Sequence, residues 1–214
     1  MPLPLIQRPD LPEYLTWEEL ELLPEEIAGQ IELWNGRVVW AGHRAEEHRV
    51  FTRRLTNTIE HLARQAMSER DESCWRVDCE TNVFLGTSGR SDFSIPSFLI
   101  HRCLETPDQD IRAQDVLLVG EVMCAYAGRE GKRGRYAHAG IPWYWEVALD
   151  RESSAIEMVR ANVLSIGHAQ LPDGARPLRP NNYIAAGEWT HENPDGIAID
   201  FPFPITIPWT ELEY

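Results

Sequence analysis

Apolar residues recur along this chain with two different periods, and the changes of period mark the elements. Thr16 followed by Glu19 is a reciprocal capping pattern, in which each side chain satisfies the other's backbone N–H. A short helix is therefore predicted from near Trp17 to near Pro24. IELWNGRVVW comes next, with two apolar runs flanking Asn35-Gly36. That pair tolerates the positive φ a type I′ turn requires, so residues 31–34 and 37–40 are predicted as paired strands. Over roughly residues 45–67, Val50, Phe51, Leu55, Ile59, Leu62 and Ala66 recur at helical spacing and define the buried face of a long helix. Arg49, Arg53 and Arg64 fall away from that stripe.

Residues 74–85 read as a strand, and a turn bearing Gly86 and Gly89 leads to a short strand around Asp92–Ile95. The polar stretch from Arg102 to Gln114, with Pro107, reads as a loop or short helix. DVLLVGEVM, residues 115–123, is a continuous apolar run with one acid near its end, the signature of a central strand covered on both faces. A helix is predicted over about 129–139, stopped by Gly140 and Pro142. WYWEVAL is a β-prone strand, and residues 155–160 form another that pairs with it. Beyond residue 161, proline and glycine are dense and only short strands at 197–200 and 204–207 suggest themselves. This order predicts an α/β protein of α+β type, a mixed sheet flanked by helices, in one domain spanning 1–214.

Composition adds limits. The net charge of −14 repels a polyanion at long range, which argues against a general nucleic-acid coat. The acid is uneven, however: residues 1–42 hold eight acids and two bases, while residues 43–70 hold four acids and six bases. Local basic patches survive at Arg44, Arg49, Arg53 and Arg54, and at Arg129, Lys132, Arg133 and Arg135. Either patch can also be a solvated helix face paired with nearby glutamates. Cys74, Cys79, Cys103 and Cys124 show no metal-binding spacing and read as four reduced, mostly buried thiols. No apolar run reaches the ~18 residues a bilayer span needs. The first residues, MPLPLIQRPDLP, lack the pattern of a signal peptide, so the expected setting is cytoplasmic, away from membranes.

Candidate chemistry centres on an acid in an apolar setting. Glu121 follows Leu117, Leu118, Val119 and Gly120, where a carboxylate costs several kcal/mol to desolvate unless a metal ion or basic partner compensates it. Asp92, in SDFSIPSF, stands at the head of another apolar strand. Two such carboxylates can share a hard divalent cation, Mg²⁺ or Mn²⁺. The alternative is structural, each acid capping a turn or pairing with an arginine. Lys132 is the only lysine beside 19 arginines, eleven residues past Glu121 and in the first turn of the following helix. A helix that starts just after a strand brings its first turn beside the strand's end, so Lys132 can reach Glu121. A compact ammonium there serves a phosphate or an attacking water as a guanidinium does not; the bland alternative is a solvated surface lysine. Glu32 is a further acid in an apolar strand, or else an edge residue. Glu80 in DCETNVF is a weaker case of the same kind. His48 could contact phosphate or act as a base, or be an inert helix histidine. Trp143, Tyr144 and Trp145 read as core ahead of a base-stacking platform.

The segment LLVGEVMCAYAGREGKRGRYAHAGIPWYWEV resembles the core of the Uma-two family, bacterial endonucleases of the PD-(D/E)xK, restriction-endonuclease-like superfamily. The matching features are Glu121-Val122 at the end of an apolar strand, Lys132 four residues before Tyr136-Ala137, then Gly140-Ile141-Pro142 and Tyr144-Trp145. IELWNG, His48 at the start of the long helix, SDFSIP and the terminal FPFPITIPWTEL resemble the family as well. The likeness is good over about residues 15–160 and loose over 161–214, which reads as a β-rich extension. It implies a restriction-endonuclease-like fold in which Asp92 and Glu121 bind the metal, Lys132 is the catalytic lysine and Glu32 a supporting acid. In the superfamily at large the lysine sits two residues after the second acid. Here that position is Met123, and the lysine has moved onto the helix, as in this family. Ser91, Cys124-Ala125, Gly120 and Gly128 depart from the family pattern around the site.

The function expected on these grounds is a Mg²⁺- or Mn²⁺-dependent endonuclease acting on nucleic acid, DNA ahead of RNA. A non-enzymatic module that keeps the fold and uses the cleft for a partner or nucleic acid is the rival, and a hydrolase of small phosphate esters is a third reading. Exposed strands near the C-terminus could pair two copies into a homodimer.

Overall fold

Asn35 and Gly36 take positive φ, 51° and 82°, and close the hairpin between β1 (Ile31–Trp34) and β2 (Arg37–Trp40) as the turn chemistry requires. The computed structural model describes residues 9–41, 46–69, 74–87, 89–106, 108–123, 129–150, 156–166 and 181–212. Arg44, Pro107, Cys124-Ala125, Gly128 and the side chain of Arg129 lie outside what is described. Before the hairpin, α1 (Trp17–Glu21) starts at Thr16, whose hydroxyl accepts from the Glu19 N–H while the Glu19 carboxylate accepts from the Thr16 N–H. Pro24 does not end the helical region but caps a second short helix, α2 (Glu25–Ala28).

The long helix is α3 (Glu46–Ser68), with Phe51, Leu55, Ile59, Ala63 and Ala66 buried along one face. The single strand predicted over 74–85 is two strands in different sheets, β3 (Trp75–Cys79) and β4 (Val83–Phe84). Glu80, at φ 53°, turns the chain between them. After β5 (Phe93–Ser94) comes β6 (Phe98–Arg102), a strand the pattern did not predict. Then follow β7 (Val116–Met123), α4 (Arg129–His138), β8 (Trp143–Leu149) and β9 (Ile156–Ile166). Beyond them lie β10 (Asn181–Trp189), also not predicted, β11 (Ile197–Ile199) and β12 (Ile205–Ile207).

The strands assemble into a six-stranded sheet ordered β10-β9-β8-β7-β6-β3 and a four-stranded sheet ordered β2-β1-β5-β4, with β11 and β12 as a separate ribbon. Within the larger sheet β7 and β8 are parallel, joined through α4, and the other neighbours are antiparallel. One of its faces packs on α3 and the β11–β12 ribbon through Phe98, Leu118, Val122, Trp145, Phe203 and Ile205. A second cluster gathers Leu99, Val119, Tyr136, Ile141, Tyr144 and Tyr183, and brings in α4. The aromatic block is core, as expected: Tyr144 and Trp145 are fully buried, and Trp143 stacks on Phe201. The fold is thus a mixed α+β architecture with helices flanking mixed sheets.

Two details bear on stability. Gly120 leaves room for the Phe98 ring, since a Cβ there would stand 2.0 Å from the ring's Cζ. Gly120→Ala is expected to cost about 1–3 kcal/mol by overpacking, read from the urea midpoint, with part recovered by adding Phe98→Leu. An unchanged midpoint would contradict this packing. The four reduced thiols expected from spacing are corrected: Cys74 and Cys103 form a disulfide across the open ends of β3 and β6. They flank adjacent antiparallel strands, one residue beyond each, at a Cα–Cα distance of 5.3 Å, within bridging reach. Cys79 is exposed and outside that bridge, and Cys124 lies outside the described residues.

Candidate active site between the two sheets and helix α4

Three elements converge where the smaller sheet meets the end of β7. β1 is an interior strand of its sheet, flanked by β2 and β5, so Glu32 is fully enclosed and not an edge residue. β7 delivers Glu121, also buried, from its C-terminal end. The first turn of α4 delivers Lys132, and helical spacing puts Arg135 and Tyr136 on the same face three and four residues later.

Lys132 closes the cluster. Its ammonium lies 2.7 Å from Glu32 Oε1 and 3.1 Å from Glu121 Oε1, and donates to the Ile95 carbonyl at 3.0 Å. An ammonium has three hydrogens, and here each has an oxygen acceptor. Tyr136 adds a 2.7 Å hydrogen bond from its hydroxyl to Glu121 Oε1. Glu32 also accepts from the Ile95 N–H at 2.9 Å, the Trp34 indole at 3.0 Å and the Ser94 hydroxyl at 3.2 Å. The two readings of Lys132 are thereby separated: it is the counter-ion of two buried acids and not a solvated helix lysine.

Asp92 stands beside this cluster with a different partner. Its Oδ1 accepts from the Asn35 N–H at 3.0 Å and is ion-paired with the Arg135 guanidinium. Arg135 lies over the Trp34 ring, 4.6 Å from its centroid, and reaches Ser94 Oγ at 3.4 Å. A continuous chain of contacts therefore runs Asp92–Arg135–Ser94–Glu32–Lys132–Glu121–Tyr136. Gly131 permits the close approach of α4, because a Cβ there would meet the Trp34 ring at 2.8 Å. On the open side, a groove of about 610 Å³ is lined by Asp92, Arg135, Gly131, Gly134, His138 and Thr87.

The charge states follow from the contacts. Burial pushes the Glu32 carboxyl up, but Lys132 and its hydrogen bonds outweigh this and hold it below the usual glutamate range. For Lys132, burial disfavours the charge, yet Glu121 and Glu32 more than compensate and hold the ammonium above the usual lysine range. Burial, with Glu121 and Glu32 behind it, raises the Tyr136 hydroxyl well above the phenol range, so it stays a neutral donor. Burial lowers Arg135 from its ordinary value, with Asp92 opposing, but arginine remains charged throughout the working pH range.

His48 is buried, and its Nε2 lies 2.9 Å from the Val122 carbonyl and 3.3 Å from Ser97 Oγ. Ser97 Oγ in turn accepts the Val122 N–H at 3.0 Å. A protonated Nε2 donating to that carbonyl fits the pattern. His48 thus braces the residue after Glu121 and is not presented to a phosphate. Glu80 is exposed at the β3–β4 turn and is not part of the cluster. Sequence reasoning did not single out Trp34 or Ser94, and it named Arg135 only within a basic patch and Tyr136 only within a motif. The Lys132-to-Tyr136 spacing of four was the available signal for the last.

The oxygens present suit a hard divalent cation in kind: carboxylates and a backbone carbonyl, partly shielded from water. Among the described residues, no three histidine, cysteine or acidic side chains already stand together at ligating distances. An ion at Asp92 and Glu121 would share those carboxylates with Arg135 and Lys132.

No family model matches the chain, and no curated protein does. Among solved structures, the chain is similar to a "putative nuclease belonging to DUF820" from Anabaena variabilis ATCC 29413. The likeness covers 92% of this chain and 97% of that one, with a TM-score of 0.54 and 12% identity. DUF820 is the Uma-two family whose motifs the sequence resembles. At this identity the likeness carries the architecture alone: this chain has the fold of a nuclease-like neighbour.

Proposed function

We propose that the protein is a divalent-metal-dependent phosphodiesterase of endonuclease type acting on nucleic acid, DNA ahead of RNA. The observation that carries this reading is the convergence of Glu32 and Glu121 on one buried ammonium, with Asp92 beside them at the mouth of a groove. Buried carboxylates around a lysine are costly to keep for stability alone. The nuclease-like fold supports the same reading.

In this mechanism Asp92 and Glu121 would hold the ion. When bound, Mg²⁺ or Mn²⁺ lowers the pKa of a water and neutralises a phosphate oxygen. Lys132, held protonated by its two acids, is no general base at neutral pH. Its charge offsets charge that develops on the phosphate, while its three hydrogens stay on Glu32, Glu121 and the Ile95 carbonyl. Glu32 fixes the ammonium in place, and Tyr136 fixes the Glu121 carboxylate by donating to it. His48 and Ser97 hold the strand end that carries Glu121.

Calorimetric titration with Mn²⁺ tests the metal assignment. Binding by the wild-type protein is expected, with at least tenfold weaker binding in Asp92→Asn and Glu121→Gln. Absence of divalent binding would favour the non-enzymatic module instead. One observation does favour that rival: Glu32, Glu121 and Asp92 are each already satisfied by a side-chain cation.

No described helix is long and apolar enough to cross a membrane. A cytoplasmic setting fits a nucleic-acid substrate, although the Cys74–Cys103 disulfide is of a kind more common in oxidising compartments. β10, an edge strand with Ile184 exposed, is the edge at which a second copy would pair.

A further inference from the structure

Asp92 and Arg135 raise a question the proposed reaction leaves open. A carboxylate assigned to a metal is already occupied by a guanidinium from the same chain. Arg135 is not a stray surface group: its side chain is largely buried, it lies against the Trp34 ring, and it also reaches Ser94. It lines the groove together with His138 and the side-chain-free positions Gly131 and Gly134. Glu32, Asp92 and Glu121 oppose Lys132 and Arg135, so three negative charges against two positive leave the site at −1. A phosphodiester carries −1 as well and is repelled by that sum. Adding a divalent ion turns the sum to +1.

Resting on the metal-dependent reading above, we infer that Arg135 is an exchange residue. It neutralises Asp92 while no metal is bound, and is released to a phosphodiester in the groove when a divalent ion takes Asp92. Guanidinium suits both partners, since its planar fork matches carboxylate and phosphate alike. The exchange has two thermodynamic consequences. Arg135 competes with the ion for Asp92 and so weakens metal binding. Metal and phosphodiester binding reinforce each other, because each favours the state in which the Arg135–Asp92 pair is open. Metal affinity then rises with substrate present, and a metal-free site stays closed to the polyanion.

The test is Mn²⁺ titration by calorimetry on the full-length wild-type protein, Arg135→Met, Arg135→Lys, Asp92→Asn and the Asp92→Asn/Arg135→Met double variant. Methionine keeps apolar cover over Trp34 and removes the charge. Arg135→Met is expected to bind Mn²⁺ at least tenfold tighter than wild type, with Arg135→Lys between them. On the Asp92→Asn background the gain disappears. With Ca²⁺ as the ion, binding of a short single-stranded oligonucleotide read by fluorescence anisotropy is expected to weaken at least tenfold in Arg135→Met. Equal Mn²⁺ affinity in wild type and Arg135→Met, with binding lost in Asp92→Asn, overturns the exchange and leaves the metal site standing. Failure of every folded variant to bind Mn²⁺ overturns both. If Arg135→Met does not fold, Arg135→Lys decides by the same comparison, and affinity equal to wild type overturns the exchange.

Discussion

Replacing Lys132 by methionine is expected to lower stability by about 3–5 kcal/mol at neutral pH, because it strands two buried carboxylates without their counter-ion. The pH dependence identifies the cause. Glu32 has a depressed folded pKa, so its contribution is present above the unfolded glutamate value and is lost as pH falls through the folded one. Lys132 has a raised folded pKa, so its contribution is fully present below the unfolded lysine value and is lost as pH rises through the folded one. The contribution of this pair is therefore constant across neutral pH. In Lys132→Met the buried Glu32 carboxylate has lost the cation that offset its burial and gains from taking up a proton, so the deficit shrinks as pH falls toward the ordinary carboxyl range. Urea unfolding at neutral and mildly acidic pH measures it. A deficit that does not change with pH would mean that lost packing, and not the ion triad, is responsible.

The second large effect is expected at Glu32. Its carboxylate accepts from Lys132, the Ile95 N–H, the Trp34 indole and the Ser94 hydroxyl. Glu32→Ala leaves the Ile95 N–H, the Trp34 indole and the Ser94 hydroxyl without this acceptor and takes one of three from Lys132, and each stranded donor costs about 1–3 kcal/mol. The losses are coupled and do not simply add, but a total of at least about 4 kcal/mol is expected from the pair and its hydrogen bonds together. Glu32→Gln keeps the shape but turns an amide NH₂ toward donors on one side, so an intermediate loss of about 2–3 kcal/mol is expected. Chemical denaturation ranks the two, and the indole N–H resonance of Trp34, assigned with Trp34→Phe, reports the local change. Equal stability of the two variants would show that Glu32 fills space and does not organise the site.

Much of this site was legible from local chemistry. A lone lysine in the first turn after a strand that ends in an acid predicted the Lys132–Glu121 contact, and the Asn35-Gly36 turn predicted the hairpin that carries Glu32. Asp92 was legible as a candidate, but its partner was not. Arg135 stood in the sequence as one of several basic residues near Lys132, and only the fold brings β5 against α4 so that the two meet. The weight on Glu32 was also hidden, because burial of one strand position depends on which strands flank β1. β6 was missed since Pro96 and Ser97 interrupt its apolar pattern just before Phe98. β10 was missed because it is an edge strand with only Tyr183 buried, and a bulge between Ala185 and Gly187 breaks the two-residue period. The disulfide depends on the pairing of β3 with β6 and had no local sign.

Cleavage of DNA and RNA substrates in Mg²⁺ or Mn²⁺, by wild-type protein and Lys132→Ala side by side, tests the central claim most directly. The account predicts divalent-dependent cleavage by the wild type and a loss of about 10²–10³-fold in Lys132→Ala, the cost typical of removing one preorganised electrostatic group. Equal cleavage by the two proteins, or no cleavage of any polynucleotide by the wild type, would contradict it.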